Sequence, residues 1–129
     1  MKVGDTEVLV KTFTPDDVGI FANLSEDRNP LHIDEAFARK TPFGRPIVHG
    51  MLVSSLFSAI LGTKLPGKGT IYLRQEVNFR KPVFVGETVT ATVEVAEMRS
   101  DKPICTLSTI CRNSAGDIVV DGQAVVKFG

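Results

Sequence analysis

The residues of this chain that are best suited to chemistry stand close together near the N-terminus. Asp27 and His32 are five positions apart, with Asn29 and Pro30 between them. On a regular helix this spacing would place the two side chains on different faces. Pro30 keeps Asn29 out of the α region, so a turn there can direct both side chains towards one point. A carboxylate and an imidazole, with reference pKa values of about 4 and about 6.5, can then form a general acid/base pair around one water molecule.

The same segment also has a purely structural interpretation. Asp27 or Asn29 could cap a loop, and His32 could be a buried core histidine, and the spacing alone leaves these alternatives open. A metal site is not predicted, because no third ligand stands at a recognisable spacing. Cysteine nucleophile chemistry is not predicted either, because neither Cys105 nor Cys111 is near a histidine or a helix start.

Gly50 is the second feature with chemical potential, because it falls in the first turn of a predicted apolar helix. Backbone N–H groups at such a position lack intrahelical partners and lie at the positive end of the helix dipole. Glycine lets a ligand approach that backbone closely, so a developing oxyanion could be stabilised there. The alternative is a glycine required for tight packing. For its neighbour His49, packing or hydrogen bonding is the favoured role.

The helix signals lie in the first half of the chain. Thr14-Pro15-Asp16-Asp17 is typical of a helix start, and this helix is predicted to reach about Leu24. A short helix is predicted after Asp34. Residues 47–61 are apolar on nearly every side, which predicts a helix buried all round and ended by Gly62.

The strand signals begin with residues 7–13 and then fill the second half of the chain. Period-two alternation covers residues 71–80 and 88–95, and further strands are predicted at 104–111 and 118–126. This pattern predicts an antiparallel sheet with one buried face, in a single α+β domain over residues 1–129. One curved sheet covers about half of a helix, so the N-terminal helices or a partner subunit must cover the rest. Cys105 and Cys111 are predicted to be buried on one face of their strand.

Composition argues against several classes of function. Fifteen basic and fifteen acidic residues give a formal net charge of zero, without the basic excess typical of nucleic-acid or membrane binding. The longest apolar region, residues 51–61, is interrupted by serines and too short to span a bilayer. The N-terminal residues lack the apolar stretch of a signal peptide, so a cytoplasmic protein is expected. A net charge near zero also favours self-association.

Two segments of the chain carry a family resemblance. Residues 24–32, LSEDRNPLH, followed by residues 46–52, PIVHGML, resemble the (R)-specific enoyl-CoA hydratases, the MaoC-like branch of the hot-dog superfamily. The Asp-x-Asn-Pro-Leu-His core is specific, and the likeness extends through residues 65–69 and 81–87 to the final strand. The family motif often has glycine where this chain has Glu26.

The resemblance implies a fold, an assembly and a set of site residues. The fold would be a hot dog, in which an antiparallel sheet wraps a long central helix, and the protein would be a homodimer acting on an acyl-CoA substrate without metal or cofactor. The catalytic pair falls on Asp27 and His32, and the oxyanion donor on the N–H of Gly50. Substrate-binding positions are predicted at Ser58, Leu61 and Asn29, of which Asn29 would orient the loop. Candidates for contact with the coenzyme A phosphates are the cationic residues Arg45, Lys64, Lys68, Arg80 and Lys81.

Three competing functions share much of this evidence. A dehydratase acting on acyl-carrier-protein thioesters would use the same fold and run the reaction in reverse. A hot-dog thioesterase would direct water at the carbonyl carbon, and the Asp27/His32 pair in its Asn-Pro context argues against it. A non-catalytic acyl-binding module would be favoured by loss of Asp27 or His32, and both residues are present.

Overall fold

The computed structural model describes residues 1–129 as one five-stranded antiparallel sheet and four helices. The elements are β1 Thr6–Thr12, α1 Pro15–Ser25, α2 Pro30–Ile33, α3 Glu35–Arg39, α4 Gly50–Thr63, β2 Ile71–Phe79, β3 Thr88–Met98, β4 Ile104–Asn113 and β5 Ile118–Lys127. None of the helices combines the length and the apolar character needed to cross a membrane.

The sheet has the strand order β1-β3-β4-β5-β2, so β1 and β2 form its two edges. Side chains alternate along the central strands, and the inward-facing residues of β4 are Cys105, Leu107, Thr109 and Cys111. The predicted burial of both cysteines on one face is confirmed, and both thiols are free. Burial raises the pKa of the Cys111 thiol to about 12, which disfavours the nucleophilic thiolate.

The α4 helix packs on one face of the sheet through Val53, Leu56, Phe57, Ile60 and Leu61, which belong to one apolar core cluster. The prediction of a helix buried all round is wrong for the single chain. Its opposite face is exposed, and that face carries Met51, Ser55, Ser58, Ala59 and Gly62.

The α4 helix also continues past its predicted end. Gly62 lies inside the helix, where a glycine costs about 1 kcal/mol relative to alanine but does not stop hydrogen bonding. Instead the amides of Lys64 and Leu65 both donate to the carbonyl of Ile60, which closes the final turn.

The start of α1 agrees with the sequence, whereas α2 was not predicted. Thr14 and Asp17 form a reciprocal capping box, which confirms the predicted start. Asn29 lies outside the α region with φ −54° and ψ 122°, as expected before a proline, but Pro30 opens a single helical turn. Proline is tolerated at the first position of a helix because the N–H that it lacks would have no intrahelical partner.

Gly122 of β5 makes a close backbone approach that fixes the edge strand β2. A Cβ atom at this position would lie 1.7 Å from the backbone oxygen of Glu76. Because a backbone atom cannot swing aside, Gly122→Ala must displace β2 from β5. We expect this variant to lose roughly 1–3 kcal/mol of unfolding free energy, measured by urea denaturation.

Gly19→Ala is the matched control for this prediction. Gly19 lies within α1 and has nothing within 4 Å of a Cβ built on it. Alanine there should raise the free energy of unfolding by about 0.5–1 kcal/mol, since it is the better helix former. Equal unfolding midpoints for the two variants would contradict the proposed clash.

Candidate active site

A chain of side-chain to backbone hydrogen bonds folds the segment that carries Asp27. The α1 helix ends at Ser25, and Glu26 adopts a left-handed conformation with φ 66°, which explains why glycine suits this position. The Asp27 amide donates to Ser25 Oγ at 3.1 Å, and the Asn29 amide donates to Asp27 Oδ1 at 3.2 Å. The Leu31 amide in turn donates to Asn29 Oδ1 at 3.1 Å. These bonds form the bend that brings Asp27 towards α2.

His32 is held by the backbone in one tautomer. Its Nδ1 lies 2.7 Å from the carbonyl oxygen of Ile47. Because a carbonyl only accepts, Nδ1 carries the proton, and in the neutral ring Nε2 is left as a free acceptor. Burial lowers the pKa of His32, and the neighbouring His49 lowers it further, while the bond to Ile47 and the charge of Asp27 act in the opposite direction. The neutral ring is therefore the favoured form near pH 7.

His49 lies behind this pair, at the N-terminal end of α4. It is 2% exposed, and its Nε2 lies 2.9 Å from the backbone carbonyl oxygen of Asp27. The ring stacks on His32 with centroids 3.8 Å apart and planes at 28°, and it meets the Phe21 ring edge-on at 4.8 Å. The expected role of His49 in packing and hydrogen bonding is confirmed.

The fold thus places a third possible metal ligand, a nitrogen of His49, beside Asp27 and His32. One ligand atom from each of Asp27, His32 and His49 lies within 4.8 Å of the others. Ligand atoms around a tetrahedral zinc ion are closer, about 3.3 Å apart for bonds of about 2.0–2.1 Å. One nitrogen on each ring already bonds a backbone carbonyl, so this cluster is arranged for hydrogen bonding and is more open than a formed metal site.

Gly50 begins α4, and its N–H makes no backbone hydrogen bond. The Phe79 ring lies so close that a Cβ at Gly50 would be 2.6 Å from Phe79 Cε1. Ser54 Oγ donates to the Gly50 carbonyl oxygen at 2.9 Å. A backbone donor without a backbone partner at a helix start suits the stabilisation of an oxyanion.

These groups line one cavity of about 390 Å³. Asp27, His32, His49 and Gly50 contribute its polar groups, and Arg80 and Lys81 lie at the end of β2. The remaining lining is mainly apolar and comes from Phe43, Ile47, Val48, Met51, Val53, Phe79, Pro82, Val83 and Val120. An apolar cavity with a few convergent polar groups suits a hydrophobic substrate that has one reactive polar end.

The structure brings together only part of the predicted site. Asp27, His32 and Gly50 all line the cavity, whereas Asn29, Ser58 and Leu61 do not. Asn29 caps α2, Ser58 is exposed on the outer face of α4, and Leu61 is buried in the core. Direct substrate contact by these three residues stays a prediction without support from this cavity.

Family membership follows from comparison with known proteins. A family model described as MaoC like domain matches residues 5–114. The chain belongs to the MaoC-like family. This MaoC-like chain is 57% identical over 128 residues to the (R)-specific enoyl-CoA hydratase of Aeromonas caviae, an alignment covering 99% of this chain and 96% of that protein.

Two further comparisons extend this result. The MaoC-like chain is 47% identical to the 3-hydroxybutyryl-CoA dehydratase of Methylorubrum extorquens, over 98% of this chain and 80% of that one. The solved structure of the (R)-hydratase from A. caviae involved in PHA biosynthesis superposes with a TM-score of 0.99 at 56% identity, covering 100% of this chain and 98% of that chain. The predicted α+β hot-dog fold is confirmed.

Proposed function

We propose that this chain is an (R)-specific enoyl-CoA hydratase that adds water syn across a trans-2-enoyl-CoA to give an (R)-3-hydroxyacyl-CoA. The observation that carries the proposal is the convergence of three groups on one mainly apolar cavity: the Asp27 carboxylate, the His32 ring and the Gly50 backbone. Likeness to the A. caviae (R)-specific hydratase over nearly the whole chain supports the same activity.

The acid/base pair would act on one water molecule. The Asp27 carboxylate and the free Nε2 of His32 are both acceptors, so one water can donate one O–H to each of them. Its oxygen lone pair is then directed at C3 of the enoyl thioester. Holding the water and the alkene in one orientation supplies much of the rate gain, because the step becomes effectively unimolecular.

The reaction proceeds with Asp27 as the general base, which takes one proton from water and later returns it. The water oxygen bonds to C3 while its proton passes to the Asp27 carboxylate, and the C2=C3 electron pair moves onto the thioester carbonyl as an enolate. The Gly50 N–H would donate to that oxygen as its charge grows. C2 then takes the proton back from Asp27. Both additions use the same face of the alkene, which gives syn stereochemistry.

This assignment changes the expected role of His32. The sequence predicted an acid/base pair, but a neutral His32 ring that donates from Nδ1 to Ile47 carries no proton on Nε2 and so cannot act as the acid. The hydrogen bond therefore supports a different role, in which His32 orients the water as an acceptor. The proton that reaches C2 is the one that Asp27 removed.

The role of His32 predicts an acid limb in the pH profile. A protonated Nε2 of His32 can no longer accept a hydrogen bond from the water. The value of kcat/KM should therefore fall roughly tenfold per pH unit below the pKa of His32. Because burial and His49 lower that pKa, the midpoint should lie below 6.5, the ordinary value. Initial rates from about pH 5 to about pH 8 test this prediction. An acid limb centred above the ordinary histidine value would contradict it.

The proposed activity is tested directly with crotonyl-CoA. Loss of absorbance by the conjugated enoyl thioester reports hydration, and release of free thiol reports hydrolysis. We expect hydration without thiol release, and chiral analysis should give the (R)-3-hydroxy product. A carrier-protein thioester with the same acyl group tests the dehydratase alternative, and a higher kcat/KM with that substrate would favour it.

Arg80 and Lys81 are the cations best placed for the coenzyme A phosphates, since both line the cavity. Both also form exposed ion pairs, Arg80 with Asp121 at 3.1 Å and Lys81 with Asp117 at 3.3 Å. Arg45 and Lys64 do not line the cavity. Lys81→Ala should raise KM for crotonyl-CoA roughly two- to fivefold with kcat unchanged, since the charge is exposed. KM for a crotonyl thioester that lacks the nucleotide should not change, and Lys127→Ala is the control. Equal KM shifts for both thioesters would argue against phosphate contact.

We also propose that the protein is a homodimer that joins through the edge strand β2. This strand exposes four large apolar side chains, Ile71, Tyr72, Leu73 and Phe79, which are 38–56% exposed in the single chain. A second copy that pairs antiparallel with β2 would cover them and close the cavity beside Phe79. Light scattering should give twice 14.0 kDa, and a single-chain mass at micromolar concentration would refute the dimer.

A further inference from the structure

His49 is the polar residue of the site that the proposed reaction does not use. It is one of two histidines in the chain, and it is almost completely buried. Its Nδ1 is buried without a hydrogen-bond partner. Leaving a buried polar atom unpaired costs about 1–3 kcal/mol. An apolar side chain would avoid that cost, so packing alone does not explain an imidazole at this position.

The hydrogen bond made by His49 reaches the backbone of the proposed general base. Since the Asp27 carbonyl oxygen can only accept, His49 must donate from Nε2, which leaves Nδ1 unprotonated in the neutral ring. The Asp27 side chain is exposed and follows the left-handed Glu26. This hydrogen bond therefore holds the exposed loop that carries Asp27 against the start of α4.

The face of the same ring supports His32. The two imidazoles stack with centroids 3.8 Å apart, and Phe21 packs edge-on against His49 at 4.8 Å. The stack restricts the plane of the His32 ring, while the bond to Ile47 restricts its rotation within that plane. One buried side chain thus contacts both members of the acid/base pair.

We propose that His49 is a positioning residue, which fixes the Asp27 backbone by one hydrogen bond and the His32 ring by one stacked face. This inference rests on the proposed hydratase function. One water must be held by both Asp27 and His32, so a displacement of either group breaks the shared geometry. Errors of about 1 Å in such placement cost roughly 100-fold in rate.

Two substitutions separate the contacts that His49 makes. His49→Gln keeps a nitrogen donor at the position of Nε2 and loses the ring, whereas His49→Phe keeps a stacking ring and loses the donor. We expect His49→Phe to lower kcat for crotonyl-CoA roughly 10- to 100-fold with KM within about twofold. His49→Gln should lower kcat by less than about tenfold, because the hydrogen bond to the Asp27 carbonyl oxygen remains.

Ser55→Ala is the control for both His49 substitutions. Ser55→Ala removes an exposed hydroxyl that bonds only the Leu52 carbonyl, so its kcat should equal that of the wild type. If His49→Phe keeps kcat within about twofold, the hydrogen bond to the Asp27 carbonyl does not position the base and the proposal is wrong. A defect confined to KM would also overturn it.

A measurement on the wild-type protein tests the same contacts without any substitution. Nitrogen NMR of the two imidazoles should show His49 protonated at Nε2 and bare at Nδ1, and the opposite tautomer would overturn the inference even if a variant failed to fold. This result is independent of turnover. A wild-type protein that hydrates no enoyl-CoA would refute the proposed function, whereas a wrong tautomer would refute only the role of His49.

Discussion

Asp27→Asn is expected to lower kcat for the hydration of crotonyl-CoA by roughly 10²–10⁴-fold, the contribution typical of one acid/base group. The amide keeps the size of the carboxylate and keeps an oxygen to accept from the Asn29 amide, so the loop should retain its shape. What it loses is the ability to take a proton from water. The loss should therefore appear in kcat, with KM and the unfolding midpoint close to those of the wild type.

His32→Asn provides the second half of this test. The Asn amide can still donate to the Ile47 carbonyl in place of Nδ1, but nothing replaces the acceptor at Nε2. We expect a loss similar to that of Asp27→Asn. The double variant should be little worse than either single variant, since both groups act on one water. Strictly multiplicative losses would indicate that the two residues act in separate steps.

Asp16→Asn is the matched control for the Asp27 substitution. Asp16 lies in the first turn of α1 and is exposed, outside the cavity. The same chemical change there should leave kcat within about twofold of the wild type, since only a weak contact with the helix dipole is removed. If Asp27→Asn hydrates crotonyl-CoA with a kcat close to that of the wild type, the Asp27 carboxylate is not the general base.

Local sequence signals were enough to predict the parts of the site that lie within one segment. Pro30 and the Asn29 cap determine the bend between Asp27 and His32, and both are visible in six consecutive residues. Period-two alternation likewise predicted the strands, because one face of the sheet is buried against α4. The start of α1 was also predicted from four consecutive residues, Thr14-Pro15-Asp16-Asp17, although the reciprocal bonds between Thr14 and Asp17 appear only in the structure.

Contacts between distant segments could not be predicted from local pattern. The interaction of His49 with Asp27 joins residues 22 positions apart, and nothing at either position indicates a hydrogen bond between a ring nitrogen and a backbone carbonyl. The contact of Phe79 with Gly50 depends on how β2 ends beside α4. Ser58 was assigned by resemblance to a helix face that is exposed in the single chain.

Gly50→Ala is expected to lower kcat/KM for crotonyl-CoA by roughly 10²–10³-fold, the effect typical of losing one oxyanion donor. The new Cβ would lie 2.6 Å from Phe79 Cε1 and 2.7 Å from Phe79 Cδ1, so the ring must move. The methyl group would also project into the cavity beside the Gly50 N–H, where the thioester oxygen has to approach. Because Phe79 is exposed and at the end of β2, the structural cost should stay within roughly 1–3 kcal/mol.

Two further variants decide which consequence of the methyl group matters. Gly62→Ala lies on the exposed face of the same helix with nothing within 4 Å of its Cβ, so it should raise stability by about 0.5–1 kcal/mol and leave turnover unchanged. Adding Phe79→Leu to Gly50→Ala relieves the clash with the ring but leaves the methyl group beside the N–H. If that double variant recovers wild-type kcat/KM, then displacement of Phe79 caused the loss and Gly50 is needed only for packing. If activity stays low while the fold is restored, access of the substrate oxygen to the Gly50 amide is what the glycine provides.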